Sequence, residues 1–113
     1  MSSEHSSDTE AISLAVSDQS QLASLRRWLR EVPQVSVEIT SVRPGPGEQG
    51  AVDVLTIVAS APTLIAAIKM LPEFIRSRRA GFRIEATVRG KKFVLDATNS
   101  EDLLAVLDRF LNE

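Results

Sequence analysis

Gly45, Gly47 and Gly50 spell G-x-G-x-x-G, the spacing at which the backbone N–H groups of a strand-to-helix turn cradle a dinucleotide pyrophosphate. The surroundings oppose that chemistry. Pro46 has no N–H to offer, Glu48 places a carboxylate where the pyrophosphate would sit, and no acid closes a returning parallel strand. The Lys-Ser/Thr pair of a P-loop is missing as well, so Arg43 to Gly50 reads as a stiff connecting loop. Glu31, Glu38, Glu48, Asp53 and Asp96 are the carboxylates available for general acid and base work, which needs two groups converging on a substrate with displaced pKa values. Nothing in their spacing makes them converge. Serine and threonine hydroxyls lack a basic partner, because Lys69 flanks an apolar helix and Lys91 and Lys92 belong to a turn. His5 is the only histidine and lies in a polar tail, and there is no cysteine. Thiolate chemistry, Ser/His catalysis, disulfides and zinc sites built on His or Cys therefore have no candidates. The reading is a non-enzyme with no catalytic residue, no cofactor and no metal.

Charge is the second chemical feature. Net charge is only −2, yet between Arg76 and Lys92 seven basic residues face the single acid Glu85, so this segment carries +6 and the remainder −8. Arg83, Arg89, Lys91 and Lys92 are the candidate anion-binding residues. They define an alternative function, a nucleic-acid or anionic-ligand sensor held by phosphate contacts. A single-strand platform also needs aromatic rings between the cations. Phe82 and Phe93 should both point inward, which makes nucleic acid the weaker partner. The structural account is that three of the arginines close a helix, where cations suit the exposed carbonyls.

The elements that position these groups follow from periodicity. Residues 1–10, MSSEHSSDTE, read as a disordered acidic tail without the apolar run of a secretory signal, so a cytoplasmic location is expected. Residues 11–113 read as one α+β domain. Ile12, Leu14 and Val16 alternate as a strand. Asp18 with Gln21 has the form of a capping box, and Leu22, Leu25, Trp28 and Leu29 share a helical face that Pro33 terminates. Val35, Val37 and Ile39 form a second strand.

The organising stretch is residues 48 to 79. Fifteen uncharged residues run from Val54 to Ile68, too few for a membrane span. Ser60 and Pro62 divide the stretch into two packed helices, about 49 to 59 and 61 to 79, with Ser60 as N-cap and a kink at Pro72. Leu64, Ile68, Leu71 and Ile75 form its apolar stripe and are the candidate partner-binding residues. A competing reading makes Val52 to Ala59 a strand, since Val52, Val54, Thr56 and Val58 are spaced by two and all β-branched. A hairpin follows, in which Phe82 to Arg89 turns through Gly90-Lys91 into Phe93 to Ala97. Thr98 with Glu101 forms another capping box, and Leu103, Leu104, Leu107, Phe110 and Leu111 give the last helix its apolar face. The expected fold is α+β, a four-stranded sheet with helices packed on one face, in the order β-α-β-α-α-β-β-α. The alternative is a ferredoxin-like β-α-β-β-α-β with a β-α extension.

Leu25-Arg26-Arg27-Trp28-Leu29-Arg30, the Pro44 to Gly50 loop, the small-residue stretch ending Phe74-Ile75-Arg76-Ser77-Arg78-Arg79, and the Arg/Gly hairpin closing on Leu95-Asp96-Ala97 resemble the effector-associated constant component family of bacterial conflict systems. The resemblance covers about residues 11 to 112. It departs at Ala59-Ser60-Ala61-Pro62, where the family often has a glycine-rich junction, and at Phe74, where it has tryptophan. The resemblance implies a small non-enzymatic adaptor encoded beside an effector, such as a caspase-like or trypsin-like peptidase, that couples sensing or recruitment to the effector's action. It carries over no catalytic residue. Self-association into a homo-oligomer is a second use of the same apolar surface.

Overall fold

Strand β1 (Thr9–Val16) places Ile12, Leu14 and Val16 on a buried face, and it is the middle strand of the sheet. The computed structural model describes residues 9–42 and 52–112. The Pro44 to Gly50 loop with its glycine triplet, and the tail up to Asp8, lie outside the described residues.

After β1, a 3-10 turn (Gln19–Gln21) leads into helix α1 (Leu22–Leu29). Then come β2 (Ser36–Val42), β3 (Val52–Ser60), α2 (Ala61–Ile68), α3 (Leu71–Arg76), β4 (Ile84–Val88), β5 (Lys91–Leu95) and α4 (Ser100–Leu111). The sheet has five strands in the order β2-β3-β1-β4-β5, and every hydrogen-bonded pair is antiparallel. This corrects the four-stranded expectation and its order β-α-β-α-α-β-β-α: residues 52–60 form a strand, as the competing reading of Val52 to Ala59 has it, not the first of two paired helices. The reason lies in their side chains. Leu55, Ile57 and Ala59 are buried at every second position, while Val54, Thr56 and Val58 occupy the opposite face, the period of a pleated strand. β1 and β2 run the same way, but β3 lies between them and bonds antiparallel to both.

One sheet face forms the core. Across it, Ile57 of β3 lies opposite Val37 and Ile12, Leu14 lies opposite Leu55 and Ala86, and Ala86 lies opposite Phe93. The helices bring Leu22, Leu25 and Leu29, then Leu64, Ala67 and Ile68, then Leu71, Phe74 and Ile75, and finally Leu107 and Leu111 into the same cluster. Phe74 is fully buried and meets Trp28 and Phe82 edge-on, at centroid distances of 5.1 and 5.8 Å. Edge-to-face geometry of this kind sets positive ring edges against negative ring faces.

Three local expectations shift. The helix expected over 61 to 79 is broken between Ile68 and Leu71, because Pro72 has no N–H to continue it and is accommodated in the first turn of α3. The hairpin turns through Arg89-Gly90, one residue earlier than expected, with φ of 51° and 79° and Lys91 already paired to Val88. Positive φ at both central residues is the hairpin geometry whose twist matches the strands. The N-cap of α4 is Asn99, not Thr98. There Asp96 accepts the N–H groups of Thr98 and Asn99 at 2.8 and 2.9 Å, and Asn99 Oδ1 accepts the N–H of Asp96 at 2.8 Å. Glu101, freed from a capping role, takes a hydrogen bond from Arg76 at 3.0 Å.

Candidate functional site

The candidate partner-binding stripe is the core itself. Leu64, Ile68 and Leu71 are fully buried and Ile75 is 2% exposed, so a partner meets none of them on the folded chain. Their helical spacing reflects packing on the sheet.

The four candidate anion-binding residues do not converge. Arg89, at the hairpin tip, donates through Nε to Glu10 at 2.9 Å, pairs with the same carboxylate through Nη2, and donates through Nη1 to the Phe110 carbonyl at 3.3 Å. Its guanidinium lies 5.2 Å from the Phe110 ring centroid. Arg89 thus clips β1, the hairpin and α4 together. Lys91 shares the strand face of Phe93, on the helix side, whereas Lys92 stands on the opposite face with its Nζ 4.0 Å from Glu85. Arg83, just before β4, donates its backbone N–H to Ser17 Oγ at 2.9 Å, and its side chain falls on the Glu85 face. Two cations on each side of a sheet do not make one anion site.

A polar cleft of about 450 Å³ opens where the β1–α1 connection meets the α3–β4 connection. Asp18 accepts the Ser20 hydroxyl at 2.7 Å and the Ser20 N–H at 3.1 Å. Those bonds, with the nearby charge of Arg79, hold its carboxyl below the ordinary range. It is a poor base for the hydroxyl it binds. Arg78 donates to Gln21 Oε1 at 2.5 Å and lies 4.5 Å over the Phe74 ring. The Asp18 to Gln21 segment thus forms a turn and a clasp across the cleft in place of a full capping box. A second link, Gln19 to the Asp53 backbone at 3.0 and 3.2 Å, ties the same turn to β3. In this cleft the polar groups join loops to one another. Among the described residues, no cluster of three or more His, Cys, Asp or Glu could hold a metal ion, and no helix is long and apolar enough to cross a membrane.

The sheet face away from the core was not assembled by sequence reasoning, because with residues 52–60 taken as a helix its rows do not exist. One row crosses all five strands: Glu38, Thr56, Ser13, Thr87 and Lys92, each opposite the next. Ser36, Val58 and Ala11 flank it on one side, and Ala15, Glu85 and Val94 on the other. Val58 and Val94 are 38% and 41% exposed. The available signal was the β-branched alternation at Val52, Val54, Thr56 and Val58.

A protein-family model described as Effector Associated Constant Component 1 matches residues 14–111. Among solved structures, the chain resembles a putative PII-like signaling protein from Thermus thermophilus, at 14% identity and a TM-score of 0.51, over 78% of this chain and 90% of that one. At that identity the likeness is one of fold. A phage SAM lyase in the apo state aligns at 12% identity and a TM-score of 0.41, over 80% of this chain and 90% of that one. No curated protein matches the chain.

Proposed function

The chain belongs to the Effector Associated Constant Component 1 family, and from that premise we propose that it is a non-enzymatic cytoplasmic adaptor that holds an effector protein of a bacterial conflict system. The effector class is peptidase-like, caspase-like or trypsin-like, encoded next to the adaptor. The match of the family model over residues 14–111 carries this reading. The chemistry of the side chains supports it: Asp18 and Asp96 accept hydrogen bonds from their own turns, and Arg78 and Arg89 bind groups of the same chain. Such residues set a rigid shape for a partner to read.

The test is co-expression of the chain with the protein encoded beside it, followed by size-exclusion chromatography with light scattering. Co-elution in a defined stoichiometry is the expected result. Separate elution of two folded proteins, at concentrations well above the micromolar range of ordinary transient contacts, would overturn the proposal.

A further inference from the structure

We propose that the open face of the sheet is where two copies of this chain meet, stacked face to face about a two-fold axis parallel to the strands, with Glu38 of each over Lys92 of the other. This goes beyond effector binding and does not depend on it.

The argument starts from the row Glu38, Thr56, Ser13, Thr87, Lys92. Its acid stands on one edge strand, its base on the other, and three small uncharged side chains lie between. Near the β5 edge the face also carries Glu85, whose carboxylate is 4.0 Å from Lys92, and Arg83 beside the start of β4. Asp96, just past the end of β5, lies close enough to Arg83 for that cation to help lower its pKa, so Arg83 is balanced there and Lys92 is the cation of the row itself. At the β2 edge, Glu38 has no cation partner among the described residues. The row thus carries an acid at the β2 edge and a base at the β5 edge.

Two identical sheets can stack about an axis along the strands or an axis across them. An axis across the strands sets β2 over β2 and places Glu38 on Glu38. An axis along the strands sets β2 over β5, so opposite charges meet twice, in the self-complementary manner of an isologous dimer. Aligned sheets pack at about 30° to one another. At an edge strand about 10 Å from the axis, that rotation displaces the row by about 5 Å, within the reach of Glu and Lys side chains. The centre of the contact, Ala11, Ser13 and Ala15 of β1, is small enough for close approach, and Val58 and Val94 supply exposed apolar area.

The size of the face sets the strength. Five strands at about 4.8 Å spacing, over about five residues at 3.4 Å, cover roughly 400 Å² per copy in projection. This is at the low end of specific interfaces, so the dimer is reversible and concentration-dependent.

The test is sedimentation equilibrium of the full chain over a dilution series, for the wild type, Glu38→Lys, Lys92→Glu and the double swap, with circular dichroism to check folding. These are exposed edge-strand positions, and Lys92→Gln controls for placing a new acid beside Glu85. The expected result is a mass that doubles with concentration. Each single reversal weakens association about tenfold or more, the double swap restores it, and added salt weakens the wild type. A monomer at every concentration, or a dimer indifferent to all the reversals, overturns the proposal. So does a monomer whose sheet face is instead blocked by the co-expressed effector. Because the effector test reads co-elution with a different protein, its failure and this one are separately visible.

Discussion

Replacing Phe74 by alanine should remove the centre of the helical layer. The ring is fully buried, meets Trp28 and Phe82 edge-on and lies under the Arg78 guanidinium. Each aromatic pair contributes about 0.5–1.5 kcal/mol beyond its area, and the cation over the ring about 0.5–1 kcal/mol. Burial and the cavity left behind bring the total for a Phe→Ala change to about 3–5 kcal/mol, a large share of the roughly 5–15 kcal/mol that holds a domain folded. With a urea slope of about 1.5 kcal/mol/M, the midpoint should fall by about 2–3 M. Phe74→Leu keeps most of the volume and loses the ring geometry, so it should cost about half as much. Trp28 is the only tryptophan, and its emission reports directly on the contact, with far-UV circular dichroism as an independent probe of global unfolding. A Phe74→Ala loss below about 1.5 kcal/mol, or equal losses for alanine and leucine, would refute the packed three-ring cluster.

Asp96 accepts the N–H groups of Asn99 and Thr98, and these bonds lower its pKa below the ordinary 3.8. Its contribution is complete above the unfolded-state value and is lost as pH falls through the folded one. Asp96→Asn should therefore be less stable than wild type at neutral pH, with the gap closing from about pH 5 downward, as measured by urea titrations at stepped pH. Asp18→Asn should behave in the same direction, since the Ser20 hydroxyl and N–H hold that carboxyl low. A gap that widens on acidification would contradict the sign for either residue. Arg89 combines a left-handed φ of 51° with the Glu10 and Phe110 clip. Arg89→Ala loses the clip and keeps the backbone cost, whereas Arg89→Gly relieves it, so glycine should be about 1 kcal/mol the more stable in thermal melts. Alanine matching glycine would mean the turn is not of this type.

Periodicity was readable wherever one face of an element meets water. β1 and β4 alternate cleanly because Ser13 and Glu85 are polar between buried neighbours, and α1 and α4 have the same clarity at helical spacing. At residues 52–60 it leaves helix and strand both open, and the preference for helix is wrong for a physical reason. The open face of β3 carries Val54, Thr56 and Val58 rather than charged residues, so both faces look apolar and the run continues without a break into α2. Length and β-branching, rather than period, separate strand from helix in such a run. The hairpin slip has another origin: Arg89 takes a backbone region in which glycine is the obvious occupant, and only its clip to Glu10 and Phe110 makes arginine the sensible residue. The same misreading of β3 hid the open face, whose charge row needs all five strands in register. The stripe Leu64, Ile68, Leu71 and Ile75 was visible, but spacing tells which residues share a face and not what lies against it.

The central position of β1 also bears on how the chain is made. Strand β1 ends at Val16, while its two neighbours, β3 and β4, end only at Ser60 and Val88. At about 5–20 residues per second of synthesis, β1 waits several seconds for its first partner and longer for its second. During that interval it presents alternating Ile12, Leu14 and Val16 with both backbone edges unpaired. Non-local pairing of this kind makes folding slow relative to a helical domain of equal length. The nascent chain before β3 is complete is then the stage at which chaperone binding or misassembly between neighbouring chains is expected, and slowing translation before residue 60 should lower the yield of folded protein.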